Sequence, residues 1–237
     1  MSVPGNLHYV WVGGRPKPDA LVRRIERWRS AMPEARIVEW NEARVDLDAN
    51  RYVAEAYAAR RFAFVSDYVR LLALEHEGGI YLDTDVELLR SPSLLMEGPT
   101  TFGFEVGAAV ATSTIIAAPG CPFIGRLRRD YEDRAFLRAD GSEDQTTNVE
   151  RTTTLLRTAG LRAEDRAQEV AIDGTSVRVL PSRILSPYDY LSGIDRRDDT
   201  SVAVHLFEGS WLSPAQRVRT VLSRFWRSLR ARRGARS

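Results

Sequence analysis

The chain has 237 residues, 43% of them hydrophobic and 28% charged, with a formal net charge of +2. That balance suits one α/β domain with a sizeable core and excludes a disordered or fibrous chain. The single cysteine, Cys121, excludes an intrachain disulfide and points to a reducing compartment, while no apolar run approaches a membrane span.

In chain order, a β-rich run at 7–12 predicts a first strand that ends in Gly13-Gly14. Trp11 then stands at the strand's C-terminal end, where open α/β sheets bind ligands, and can stack on a planar ring such as a nucleotide base. A buried core tryptophan is the alternative. A helix over 18–31, a strand over 35–40 and helices over 50–59 and 62–77 follow. Val65, Val69, Leu72 and Leu74 recur at helical spacing in the last of these, and Gly78-Gly79 caps it.

A strand over 80–86 comes next. Alternation turns Tyr81, Asp83 and Asp85 to one face and Ile80, Leu82 and Val86 to a core. Two carboxylates opposite an apolar face suit a metal site that grips a diphosphate. A solvated acidic turn is the simpler alternative. The preceding helix rises roughly 16 Å from Ser66 to Glu77 at about 1.5 Å per residue. The strand rises roughly 17 Å from Ile80 to Asp85 at about 3.3 Å per residue. An antiparallel return therefore sets Ser66, Asp67 and Arg70 level with Asp83 and Asp85. Without the two aspartates, Asp67 and Arg70 would read as a surface ion pair.

Beyond this point strands are expected near 102–104, 113–118, 177–180 and 202–207, and helices over 122–134 and 146–159. Residues 140–144 read as a surface loop or a mobile acceptor loop. Residues 214–237 hold eight arginines and no acidic residue, so the chain's +2 less this +8 leaves the body at −6. Val218, Val221, Leu222, Phe225 and Leu229 share one helical face there, as in a basic amphipathic helix on an anionic membrane surface. A helix packed on the body or a frayed tail are the alternatives. The acidic body argues against nucleic acid as a partner.

Val10-Trp11-Val12-Gly13-Gly14, Ser66-Asp67-Tyr68-Val69-Arg70 and Gly78-Gly79-Ile80-Tyr81-Leu82-Asp83-Thr84-Asp85 resemble, in order and spacing, glycosyltransferase family thirty-two. So does His205-Leu206-Phe207-Glu208-Gly209-Ser210-Trp211. That DXD-containing family holds fungal initiating mannosyltransferases and bacterial capsular-polysaccharide transferases, with clostridial toxin glucosyltransferase domains as distant relatives. The resemblance spans about residues 5–213 and is densest over 60–90. It implies a GT-A-type, Rossmann-like α/β fold with a mixed central sheet and flanking helices. It also implies a divalent ion (Mn²⁺ or Mg²⁺), a nucleotide-diphosphate sugar donor and retention of anomeric configuration. By the same resemblance Val10 and Trp11 would meet the base, with Ser66 and Tyr81 near the nucleoside. Asp67 and Arg70 would hold sugar hydroxyls, and Asp83 the donor sugar and ribose. Asp85 and His205 would ligate the metal beside Asp83, and Ser210 and Trp211 would lie near the β-phosphate. Thr112-Ser113-Thr114 stand where relatives often carry Asn or Gly.

The expectation is a catalytic domain at 1–213 followed by the basic tail at 214–237. The reaction would be transfer from a UDP-sugar, with GDP-mannose second, to a saccharide or lipid-linked acceptor. Asp67, Arg70 and Asp83 would act at the sugar. A nucleotidyltransferase or a non-catalytic nucleotide-sugar binder are the competing classes. The N-terminus lacks signal-peptide character, so a bacterial cytoplasmic enzyme, peripheral at the inner membrane face, is expected.

Overall fold

The computed structural model describes residues 3–208. It begins with β1 (Asn6–Val10), α1 (Asp19–Ala31) and β2 (Arg36–Trp40), then α2 (Arg51–Ala58), α3 (Phe62–Glu77) and β3 (Gly79–Leu82). β4 (Val86–Leu88), β5 (Thr100–Glu105), β6 (Ala109–Ala117), α4 (Pro122–Arg129) and α5 (Asn148–Thr158) follow. The chain continues through β7 (Gln168–Ile172), β8 (Thr175–Leu180), α6 (Ser182–Leu185), β9 (Tyr188–Asp189), β10 (Ile194–Asp195) and β11 (Ala203–His205).

Seven strands form one mixed sheet in the order β2-β1-β3-β6-β5-β8-β7. β1 runs parallel to both β2 and β3, whereas β6 runs antiparallel to β3 and β5. This is the mixed, helix-flanked α/β sheet the sequence predicts. The C-terminal ends of β1, β3 and β5 consequently share one edge.

Alternation along the strands sorts the core into two layers. Leu7 and Tyr9 of β1, with Ile80 and Leu82 of β3, pack with Leu21 and Trp28 of α1 on one face. Val10 and Tyr81 join Val65, Val69 and Leu74 of α3 on the other. Buried His8 accepts a bond at Nδ1 from Trp40 Nε1 (3.0 Å) and donates from Nε2 to the Gly78 carbonyl (2.8 Å), tying β2 and the α3–β3 junction to β1. Burial pushes its pKa below the ordinary histidine value. The Gly78-Gly79 pair has a steric reason. At Gly78 φ is +58°, and a Cβ there would sit 2.5 Å from Pro119.

Three expectations change. The predicted strand 80–86 is two strands, β3 and β4, with Asp83, Thr84 and Asp85 between them and the turn at Thr84 and Asp85. β4 leaves the main sheet to pair antiparallel with β11, His205 opposite Val86. The helix expected to reach residue 134 stops at Arg129, and β7, an edge strand of the sheet, was not foreseen. No helix among the described residues is long and apolar enough to cross a membrane.

Candidate active site

The Asp83–Val86 turn is held from three sides. Asp83 N–H donates to the Ser113 carbonyl (2.8 Å), and Val86 N–H closes the turn on the Asp83 carbonyl (3.0 Å). From α1, buried Arg24 donates to the Thr84 carbonyl (2.6 Å) and to Glu208 (2.6 Å), and Trp28 Nε1 donates to the Val86 carbonyl (2.9 Å). The turn is therefore fixed before any ligand arrives.

One network gathers Ser66, Asp67, Arg70, Tyr81 and Asp83. Arg70 Nη2 lies 2.9 Å from Asp67 Oδ1 and 3.2 Å from Asp83 Oδ1. Its Nη1 donates to the Thr112 carbonyl (2.7 Å) and its Nε to the Ser66 carbonyl (3.2 Å). The guanidinium is thus committed to protein partners, and it meets the site through Asp83. Burial opposes charge on Arg70, but Asp83, Tyr81 and Asp67 outweigh it and raise its pKa. Tyr81, 1% exposed, donates its hydroxyl to Asp83 Oδ1 (2.8 Å) beneath the Arg70 guanidinium. Tyr81 faces any ligand only through that carboxylate. Asp67 accepts from the Asn148 N–H at the start of α5 (3.3 Å). Burial pushes the Asp67 carboxyl up to about 6 against the pull of Arg70.

A second group forms where β11 crosses β4. Asp83, Asp85 and His205 each offer a ligand atom, all within 4.8 Å of one another. His205 Nε2 lies 3.2 Å from Asp85 Oδ1, and Nδ1 has no partner among the described residues. Burial works against both charges. Yet His205 draws the Asp85 carboxyl below its ordinary value, and Asp85 raises the imidazole above its own. Two carboxylates and an imidazole with an unused nitrogen form a donor set of the kind that holds a divalent cation.

Val10 and Trp11 end the neighbouring strand. The β1–β3 register pairs His8 with Tyr81, so its continuation sets Val10 level with Asp83. Val10 is buried, whereas Trp11 is half-buried with Nε1 bonded to the Arg15 carbonyl (2.8 Å). Ser210, Trp211 and the basic segment 214–237 lie outside the described residues.

Sequence reading missed several participants. Arg24, Thr112 and Asn148 brace the site through long-range bonds that no local pattern announces. Glu105 ends β5 at the same sheet edge; burial raises its carboxyl pKa, while His205 draws it down and Asp83 pushes it up. The one available signal for it was a lone acid closing an apolar strand run.

Residues 18–101 match the family model described as the glycosyltransferase sugar-binding region containing the DXD motif. Over 83 residues the chain is 34% identical to glucan organizing enzyme 1 of Cryptococcus neoformans var. grubii serotype A. That stretch is 31% of this chain and 23% of the fungal protein, so the match spans less than a quarter of that relative's length. Among solved structures, the PaToxG glycosyltransferase superposes with a TM-score of 0.47 at 16% identity, covering 54% of this chain and 60% of its own. The galactosyltransferase LgtC, solved with donor and acceptor sugar analogues, gives 0.47 at 12% identity, over 92% of this chain and 95% of its own.

Proposed function

We propose that this chain is a metal-dependent glycosyltransferase of the GT-A type, moving a sugar from a nucleoside-diphosphate donor to a hydroxyl acceptor. The observation that carries the reading is the Asp83–Asp85–His205 donor set, beside the Arg70–Asp67 network, at the C-terminal sheet edge. Held there, a divalent cation supplies charge neutralisation to a departing diphosphate. Asp83 is shared between that group and Arg70, so the carboxylate that faces the donor sugar and ribose is fixed in place by a buried cation. Trp11, half-buried beyond the end of β1, is the stacking surface for the base. We assign a UDP-sugar as donor, with GDP-mannose second, and retention at the anomeric carbon. The acceptor is a saccharide or a lipid-linked glycan, and the enzyme is cytoplasmic, peripheral to the membrane through its basic segment.

The phosphates are assigned to the metal group and not to the first Gly-rich loop. There the Gly13 N–H already donates to Glu42 Oε1 (2.5 Å), so a carboxylate occupies the place a triphosphate would need. This weighs against a nucleotidyltransferase. The deciding experiment titrates a panel of nucleotide sugars with and without Mn²⁺, reading binding and slow donor hydrolysis. Release of a nucleoside diphosphate from one donor, dependent on metal, is the expected result. Pyrophosphate release from a nucleoside triphosphate would overturn it.

A further inference from the structure

We infer that Phe207 and Tyr190 are positioning residues that set the imidazole of His205 for metal binding, an inference that rests on the metal reading above. Phe207 has φ of +50°, in the left-handed region where a bulky side chain is strained and glycine is favoured. The kink has a local purpose. On either side of it, Leu206 N–H donates to the Asp85 carbonyl and Glu208 N–H to Asp85 Oδ2, both at 3.0 Å. Glycine would make the same kink without strain, so the backbone does not explain why an aromatic residue stands there.

The ring explains it. Phe207 lies 3.8 Å from the His205 ring centroid with 34° between planes, and Tyr190 covers it at 4.4 Å and 33°. Three rings thus stack in sequence, ending on the metal-ligating imidazole. Tyr190 comes from the β9–β10 hairpin, whose turn is fixed by Asp189. That carboxylate accepts from Leu191 N–H (2.9 Å) and Ser192 N–H (3.1 Å), and the Asp189 carbonyl accepts from Gly193 N–H (2.7 Å). The imidazole otherwise has its Asp85 contact at Nε2 and no partner at Nδ1 among the described residues. Among the described residues Asp85 is the polar tether of this imidazole, and Phe207 covers its face. Groups that orient a ligating histidine without touching the metal typically change metal affinity 10–100-fold when removed.

The test is Mn²⁺ binding to the full chain, read as free Mn²⁺ by electron paramagnetic resonance, with a thermal melt on each sample. Phe207→Gly removes the ring and relieves the strain. It should keep or raise the melting temperature while raising the Mn²⁺ Kd about tenfold or more. Phe207→Tyr should bind close to wild type, and Tyr190→Ala should weaken binding in the same direction by a smaller factor. A folded Phe207→Gly protein with wild-type Mn²⁺ affinity overturns the inference and leaves the metal reading intact. If Phe207→Gly melts far below wild type, Tyr190→Ala decides, and unchanged affinity in that variant overturns it. A wild-type chain that binds no Mn²⁺ overturns the metal reading and this inference with it.

Discussion

Arg70 and Asp83 meet at 3.2 Å because β3 (Gly79–Leu82) doubles back along the second half of α3 (Phe62–Glu77), which brings Asp83, just past the strand end, to the level of Arg70 in mid-helix. The contact joins two functions in one carboxylate. Asp83 belongs both to the candidate metal group and to a buried network anchored on Thr112 and Ser66. A ligand that engages Asp83 therefore meets a group whose position is already decided.

Removing Arg70 should test that relationship through stability first. Losing one partner of a buried ion pair leaves the other charge uncompensated, at roughly 3–5 kcal/mol. Arg70→Met should therefore lower the unfolding free energy, read from denaturant titration, by an amount in that range. Adding Asp67→Asn to it should restore part of the loss, because one stranded carboxylate disappears. An Arg70→Met protein of wild-type stability would show that the network is not structural.

Asp85→Ala should abolish metal-dependent donor binding and hydrolysis while the protein stays folded. Asp85 is buried, but its partners are His205 and the 206–208 backbone at the sheet edge, not the core layers. Circular dichroism and donor titration with Mn²⁺ on one sample separate loss of site from loss of fold. Near-normal turnover in the folded variant would remove Asp85 from the metal group.

The Ser66–Asp67–Arg70–Asp83 juxtaposition was legible because it depends on two local lengths, a helix and a strand, joined by a glycine cap. The turn after Asp83 was not. Ile80 to Val86 alternates as a continuous strand would, and what bends it is β4 pairing with β11 from the far end of the chain. The bends at Asp83 and at Phe207 are thus imposed by tertiary pairing. β7 was missed because its strand period is too short to stand out: Val170 and Ile172 are buried and Glu169 and Ala171 exposed, on an edge strand of five residues. Arg24 reads as one more surface arginine on α1, yet it is buried against Thr84 and Glu208.

Asp67 makes a prediction about pH. Its folded pKa of about 6 exceeds the ordinary value of 3.8, so the folded state holds the proton more tightly than the unfolded chain does. Stability from this group is then present below pH 4, falls as pH rises through 4 to 6, and is constant above. The fall is on the order of 3 kcal/mol. Asp67→Asn should lack it, so metal-free melts of wild type and variant should diverge across that window and run parallel above it. Parallel curves from pH 4 to 8 would refute the raised pKa.

Trp11→Ala should weaken donor binding by about 1–3 kcal/mol, the range for aromatic–base stacking. The ring is half-buried, with its Nε1 bonded to the Arg15 carbonyl, so some loss of stability is expected alongside. A thermal melt and a donor titration on the same sample distinguish the two roles. Normal donor affinity in a destabilised variant would make Trp11 a packing residue only.

The segment 214–237 bears on the acceptor. Eight arginines on an apolar-striped segment, beside a body of net −6, favour docking on an anionic leaflet where a lipid-linked acceptor would be presented. Each arginine near such a surface contributes about 1 kcal/mol, so half of them engaged would give firm binding. The attraction must weaken with salt, since the screening length shrinks to about 3 Å at 1 M. Deleting 214–237 should abolish sedimentation with phosphatidylserine vesicles at low salt and leave donor hydrolysis unchanged. If the full chain ignores such vesicles, or the deletion lowers the melting temperature and hydrolysis together, the segment is part of the fold. A soluble saccharide then becomes the better acceptor.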